Sequence, residues 1–315
     1  MPAWKPEINN TVKNISSLPM LHEILRENGV LPTYLVNRPV LENKESLSII
    51  IDISKDIHSE IGLHLHSWNT EPITEEEKKN KPTVLNNLSQ SLQEQKIQWM
   101  HNYFLGKMGF PAKSYRAGRY GASQYGASVL ASLGYEVDSS VVPRHSFSEY
   151  GGPDYRLYNC EPFWIGGMKG KEILEVPISA DLISPYGDFP KRMYSLIPKW
   201  SGGRGVFHRL NIARLLWLRP TTYSYGEMRQ LVDYIRLNMM FPVFNIMFHS
   251  SEMYPGASPY ARTILEVHSI LERLKSILKY LINDIGAIPF TLSGLSIYFK
   301  DNYLGKNVLY RSLPS

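Results

Sequence analysis

Apolar periodicity in this chain switches repeatedly between a helical spacing near 3.6 and a strand spacing of 2, and that alternation restricts the fold more than any single motif. Residues 16–28 carry helical spacing and end at Gly29, and residues 32–37 (PTYLVN) then read as a strand. Residues 45–56 are helical again, followed by a strand in EIGLHLH (60–66). A long helix is predicted over 83–107, a short strand at KSYRAG (113–118), a helix over 123–133 and a strand in GYEVDSSVV (134–142). From 143 to 205 the pattern is irregular, rich in Gly, Pro and Tyr, with one clear strand at 172–178. Helix returns over 225–239, strand at PVFNIMFHS (242–250), helix over 261–283 and a last strand at AIPFTL (287–292). Strands alternating with helical crossovers predict a parallel sheet, whose chemistry collects at the carboxyl ends of the strands.

Composition limits the function classes. The 315 residues are 43% hydrophobic, with 34 Lys+Arg against 29 Asp+Glu and a net charge of +5. The basic residues read as scattered, so a nucleic-acid partner is not expected, and weak association with a membrane surface is the minority reading. The lone Cys160 excludes an internal disulfide. No signal-peptide core and no membrane-length apolar run is seen, so the expectation is a cytoplasmic protein of one domain, residues 1–315.

The polar residues of interest fall at strand ends. His64 and His66 sit two apart in a strand, so both rings face one side and can aim at one point, as two metal ligands must. Two ordinary histidines hydrogen-bonded at a sheet edge would give the same pattern. Arg116 and Arg119 follow the next strand, where Arg116 could orient a carboxylate and Arg119 reach the substrate, a structural salt bridge being the alternative. Asp138 ends the strand after that, to pair with an arginine or cap the turn. Apolar residues deliver His249 to a further strand end. A histidine in that layer, with the His64/His66 pair, suits a general acid.

Together the stretches GVLPTYLVNRPV, EIGLHLHSWNTEP, YRAGRYGAS, YEVDSSVVP, GGPDY, LEVPI and NIMFHSSEMYPGASPY resemble the polysaccharide deacetylase superfamily. This is the NodB-homology group of carbohydrate esterase family four, and the likeness is to its branch in O-antigen clusters. The resemblance implies a deformed (β/α) barrel of about seven parallel strands. It also implies a divalent metal, zinc in character, held by one Asp and two His, with a carboxylate base and a histidine acid. Carried over, His64 is the first metal histidine, His249 the acid, and Arg116 and Asp138 the pair that supports the base. Trp68 stands where the family has its second metal histidine, and His66 is the substitute. The family's first strand, with its Asp-bearing motif, is expected to be missing, because no Asp precedes Asp52. The residues up to Val12 are accordingly expected to be extended or poorly packed. Arg119, Tyr120, Tyr155, Phe163 and Trp164 are the candidate sugar-binding residues, with plain core packing the alternative for the aromatics. The expected activity is metal-dependent removal of an N-acetyl group from a sugar or glycan intermediate of lipopolysaccharide or other surface polysaccharide synthesis. The alternatives are an inactive sugar-binding or scaffolding homologue, or a hydrolase of another amide.

Overall fold

The computed structural model describes residues 11–79, 83–166, 171–197, 202–303 and 310–314. Six strands make the main sheet: β1 (Thr33–Val36), β2 (Glu60–Leu65), β3 (Ser114–Ala117), β4 (Val137–Asp138), β5 (Phe163–Gly166) and β6 (Glu172–Glu175). Their spatial order is β1-β2-β3-β4-β6-β5, with every neighbouring pair parallel except β5 against β6. Two more strands, β7 (Ala180–Ile183) and β8 (Arg214–Trp217), form a separate antiparallel pair. The architecture is the expected mixed α/β one, a mostly parallel sheet wrapped by helices as in a deformed α/β barrel.

Local chemistry sets the helix limits. Ser89 opens the helix Gln90–Met108 by accepting a bond from the Leu92 amide, and Gly109 closes it at a φ of 79°, where a side chain would be strained. Capping boxes start two later helices, Ser224 with Glu227 before Tyr225–Asn238 and Thr263 with Glu266 before Ile264–Lys279. Ile61, Leu63 and Leu65 of β2 point to one face of the sheet and are all buried there, while Gly62 and His64 point to the other.

Several strands differ from expectation. Residues 242–249 form no ladder, and Ser250 opens a short 3-10 turn, Ser250–Met253. The ties of 242–249 are single bonds, Ser179 N to Asn245 O at 3.2 Å and Met247 N to Leu218 O at 3.4 Å. Residues 287–291 are irregular and lead into a helix, Leu292–Tyr303. The predicted strand at 134–142 shrinks to two residues. Conversely β5 and β7 lie in the stretch read as irregular, where Gly and Pro interrupt the alternation on which strand reading depends, and β8 lies just beyond it, where no element was expected. β1 pairs only with β2 and forms an edge of the sheet. The expectation for the first residues falls largely on 1–10, outside the described residues, while Val12 packs on the core.

Below the site, Lys96 is fully buried and donates to the carbonyls of Ser67 (2.9 Å), Thr70 (2.7 Å) and Pro72 (2.7 Å) and to the Glu77 carboxylate (3.0 Å). One ammonium therefore ties down the loop that leaves β2. Lys96→Met should cost about 3–5 kcal/mol of unfolding free energy in urea titrations, because Glu77 and three carbonyls lose their partner together. A loss under about 1 kcal/mol would mean that the loop holds without it.

Candidate active site

A cleft of about 1900 Å³ opens along the β1 edge and over the carboxyl ends of β2 and β3. His64, His66, Trp68, Arg116, Arg119, Tyr120, His145, Trp217, Arg219, His249 and Glu252 all line it. Register explains the floor. His64 pairs with Arg116 across β2 and β3, so their side chains share one face of the sheet.

The two histidines converge. His64 Nδ1 donates to the Arg116 carbonyl at 2.9 Å, which leaves its Nε2 as the lone-pair atom, and that Nε2 lies 2.8 Å from His66 Nε2. Burial pulls His64 down to about 4 and His66 further, with neighbouring positive charge adding to both, so the rings are neutral at physiological pH. Neutral imidazoles, one oriented by a backbone carbonyl, are the donors a borderline cation such as zinc selects. Gly118 makes the convergence possible. A Cβ there would sit 2.4 Å from His66 Cδ2 and 2.7 Å from the Leu65 carbonyl. The glycine thus makes room for the histidine rather than for a ligand. Trp68 stacks on His66 with centroids 4.4 Å apart, and the Arg119 guanidinium lies 5.1 Å over Trp68.

No cluster of three His, Cys, Asp or Glu that could hold a metal occurs among the described residues. The donor set is two histidines, one short of the three protein ligands of catalytic zinc sites. Of the two carboxylates lining the cleft, Glu149 lies in an exposed turn, and Glu252 is committed elsewhere.

Glu252 is 2% exposed, takes bonds from Arg219 and Thr221, and stands 3.2 Å from His249 Nδ1. Burial opposes its ionisation, but His249, Arg219 and Thr221 outweigh burial and hold the carboxyl down to about 2. An ionised carboxylate on Nδ1 orients His249 and leaves Nε2 for the cleft, while more than half of the His249 side chain stays exposed. Sequence reading quoted Glu252 without giving it a role and missed Arg219. The signal available was the carboxylate three residues after a strand-end histidine.

Arg116 is buried and donates through Nε to the Ser139 carbonyl at 2.6 Å and through Nη2 to Ser139 Oγ at 2.8 Å. Asn245 Nδ2 reaches the same Oγ at 3.0 Å, which anchors the segment that carries His249. Asp138 does not line the cleft. It is in register with Tyr115 and Glu175, which puts all three on the face opposite Arg116, and its carboxyl accepts from Ser140 Oγ. Burial lifts the Asp138 and Glu175 carboxyls above the usual range, and the Asp138 charge lifts Glu175 further.

The aromatic candidates divide. Tyr120 lines the cleft with Phe147 (centroids 5.1 Å) and Trp217 (6.3 Å), the latter donating from Nε1 to His145 Nε2 at 2.8 Å. Tyr155 and Trp164 are fully buried, as is Phe163, so none offers a face to a sugar as expected. Tyr155 instead donates its hydroxyl to the Tyr120 carbonyl at 2.7 Å, bracing two successive residues with positive φ, Arg119 at 53° and Tyr120 at 59°. Such strain in residues other than glycine is characteristic of functional loops. The assigned residues Arg119 and Tyr120 therefore stand at the cleft with Trp68, Phe147 and Trp217, three aromatics that sequence reading did not assign to the sugar.

No family model matches this sequence, and no curated protein matches it. Among solved structures, a Mycobacterium smegmatis protein assigned to the polysaccharide deacetylases superposes at a TM-score of 0.51 with 14% identity, covering 98% of this chain and 82% of that one. The Xyl-CE4 domain of a multidomain xylanase from the hindgut metagenome of Trinervitermes trinervoides superposes more loosely, at 0.43 with 12% identity, over 96% of this chain and 92% of the other. The first of these likenesses, spanning almost the whole chain, establishes that this protein carries the polysaccharide deacetylase fold.

Proposed function

We propose that the protein is a hydrolase that removes an N-acetyl group from a sugar, with a divalent cation, zinc in character, held at His64 and His66. The observation that carries this reading is the convergence of two neutral Nε2 atoms, 2.8 Å apart, on the floor of a cleft that His249 also lines. A cation bound there supplies Lewis acidity and an acidified water. The rest falls to the chain. His249, aligned by Glu252, delivers a proton to the leaving amine from Nε2. Arg116, fixed on Ser139, holds the β3 carbonyl against His64. Arg119 and Tyr120, beside Trp68, Phe147 and Trp217, bind the sugar. Asp138 acts at one remove, since the Ser140 hydroxyl that bonds it also takes the Ala117 amide of β3 at 2.8 Å. The sequence resemblance favours intermediates of lipopolysaccharide or another surface polysaccharide as substrates.

A second reading, a sugar-binding homologue without catalysis, is favoured by one observation. The described residues provide neither a third ligand nor an uncommitted buried carboxylate to act as base. Incubation with N-acetylated amino-sugar oligomers and added zinc or cobalt, with acetate measured, separates the two. Acetate release that depends on the cation and is abolished by chelation supports the hydrolase. Saturable oligomer binding with neither metal uptake nor acetate release establishes the second reading instead.

A further inference from the structure

Between β7 and β8 the chain folds into two helices, Asp188–Leu196 and Gly203–Arg209. Phe189, Met193 and Leu196 recur at i, i+4 and i+7, which places them on one helix face, and they are 72%, 44% and 83% exposed. Val206 and Leu210 on the second helix, and Tyr186 before the first, are also more than half exposed. Scattered exposed apolar residues are ordinary, but a continuous stripe of them marks a contact surface. The inner sides of the helices are already used. Tyr194 meets Phe207 with centroids 6.3 Å apart, Arg204 Nε donates to the Ile197 carbonyl at 2.8 Å, and Lys191 Nζ donates to the Tyr234 hydroxyl at 3.2 Å. Packing against the body is thus satisfied without the outer stripe.

The charge of the chain gathers here. Residues 184–213 contain five Lys and Arg against one Asp, a net +4 out of the +5 of the whole protein. Read one at a time the basic residues seem scattered, but elsewhere they are almost fully balanced by acids. An apolar face within a strongly basic helical segment is the signature of an element that lies in a membrane interface.

We propose that this helical pair docks the protein reversibly on an anionic lipid surface, with Phe189, Met193 and Leu196 entering the headgroup layer and the exposed Arg209 facing lipid phosphate. A second copy of the chain is the poorer occupant, because pairing these faces would oppose two like-charged segments. The inference is independent of the catalytic reading and holds for an active or an inactive protein.

The test is co-sedimentation of the full chain with vesicles of mixed phosphatidylglycerol and phosphatidylcholine, against vesicles of phosphatidylcholine alone. Binding to the anionic vesicles at low salt, weak binding to the zwitterionic ones and release at high salt are expected. The double variant Phe189→Ser/Leu196→Ser and the single variant Arg209→Glu should each lower the partition coefficient about tenfold or more. All these residues are exposed, so thermal melts followed by circular dichroism should be unchanged. The proposal is overturned by an absence of binding, by equal binding to both vesicle types, or by variants that bind as the parent does. It is equally overturned if sedimentation velocity shows a dimer that the double variant dissolves while lipid binding stays absent.

Discussion

His64→Ala is expected to abolish cation binding and acetate release together. Imidazole ligands are hard to replace at a site with two of them. Loss even of an outer partner costs such sites about 10–100-fold in affinity, so loss of a ligand should exceed roughly 100-fold. A milder companion is Gly118→Ala, whose new Cβ would stand 2.4 Å from His66 Cδ2 and force that ring aside. It should weaken the cation by about 10–100-fold and also lower the melting temperature, because the same Cβ would stand 2.7 Å from the Leu65 carbonyl of the β2 backbone. Titration calorimetry with zinc and acetate assays on both variants check this. If His64→Ala keeps the cation, or if Gly118→Ala binds as the parent does, the two rings are not the site.

His249→Ala is expected to lower turnover by about 10²–10⁴-fold, the range for a general acid, while cation content stays unchanged. The separation matters because His249 faces the cleft but bonds to Glu252, not to His64 or His66. Glu252→Gln should lower turnover less, because the amide oxygen can still accept from Nδ1 but holds the ring less firmly than a carboxylate. It also strands the buried Arg219, so its melting temperature should fall, whereas that of His249→Ala should hardly move. His249→Ala with full turnover, or with its cation lost, would reassign the residue.

The parts of this architecture legible in the sequence are those written by local physics. Helix positions followed from apolar spacing, but their starts did not: the helices read as beginning at 83 and 261 open at Gln90 and Ile264, behind the caps Ser89 and Thr263. β1, β2 and β3 followed from short apolar runs set between helical segments. The same-face geometry of His64 and His66 needed only the two-residue period of a strand. What failed was whatever depended on partners. Residues 242–250 have the apolarity of a strand, but a strand exists only where a neighbour completes its ladder, and here the ties are single bonds. Trp164 and Tyr155 look like sugar platforms in one dimension, and packing buried both. Asp138 falls on the face away from Arg116 because register, not sequence distance, decides which side chains meet.

The sequence alone thus determined the strand–helix alternation of the first half of the chain, the strand-end position of His64, His66 and Arg116, and the kind of chemistry those residue types allow. The tertiary structure decided the distances and the couplings. It brought Arg219 to His249 and Glu252 across 30 residues and more of chain, and set Gly118 against His66. It also turned a basic stretch into one exposed apolar stripe. The reason is physical: propensity and periodicity act between residues a few positions apart, whereas a hydrogen bond, a buried ion pair or a shared face depends on separations that only the folded chain fixes.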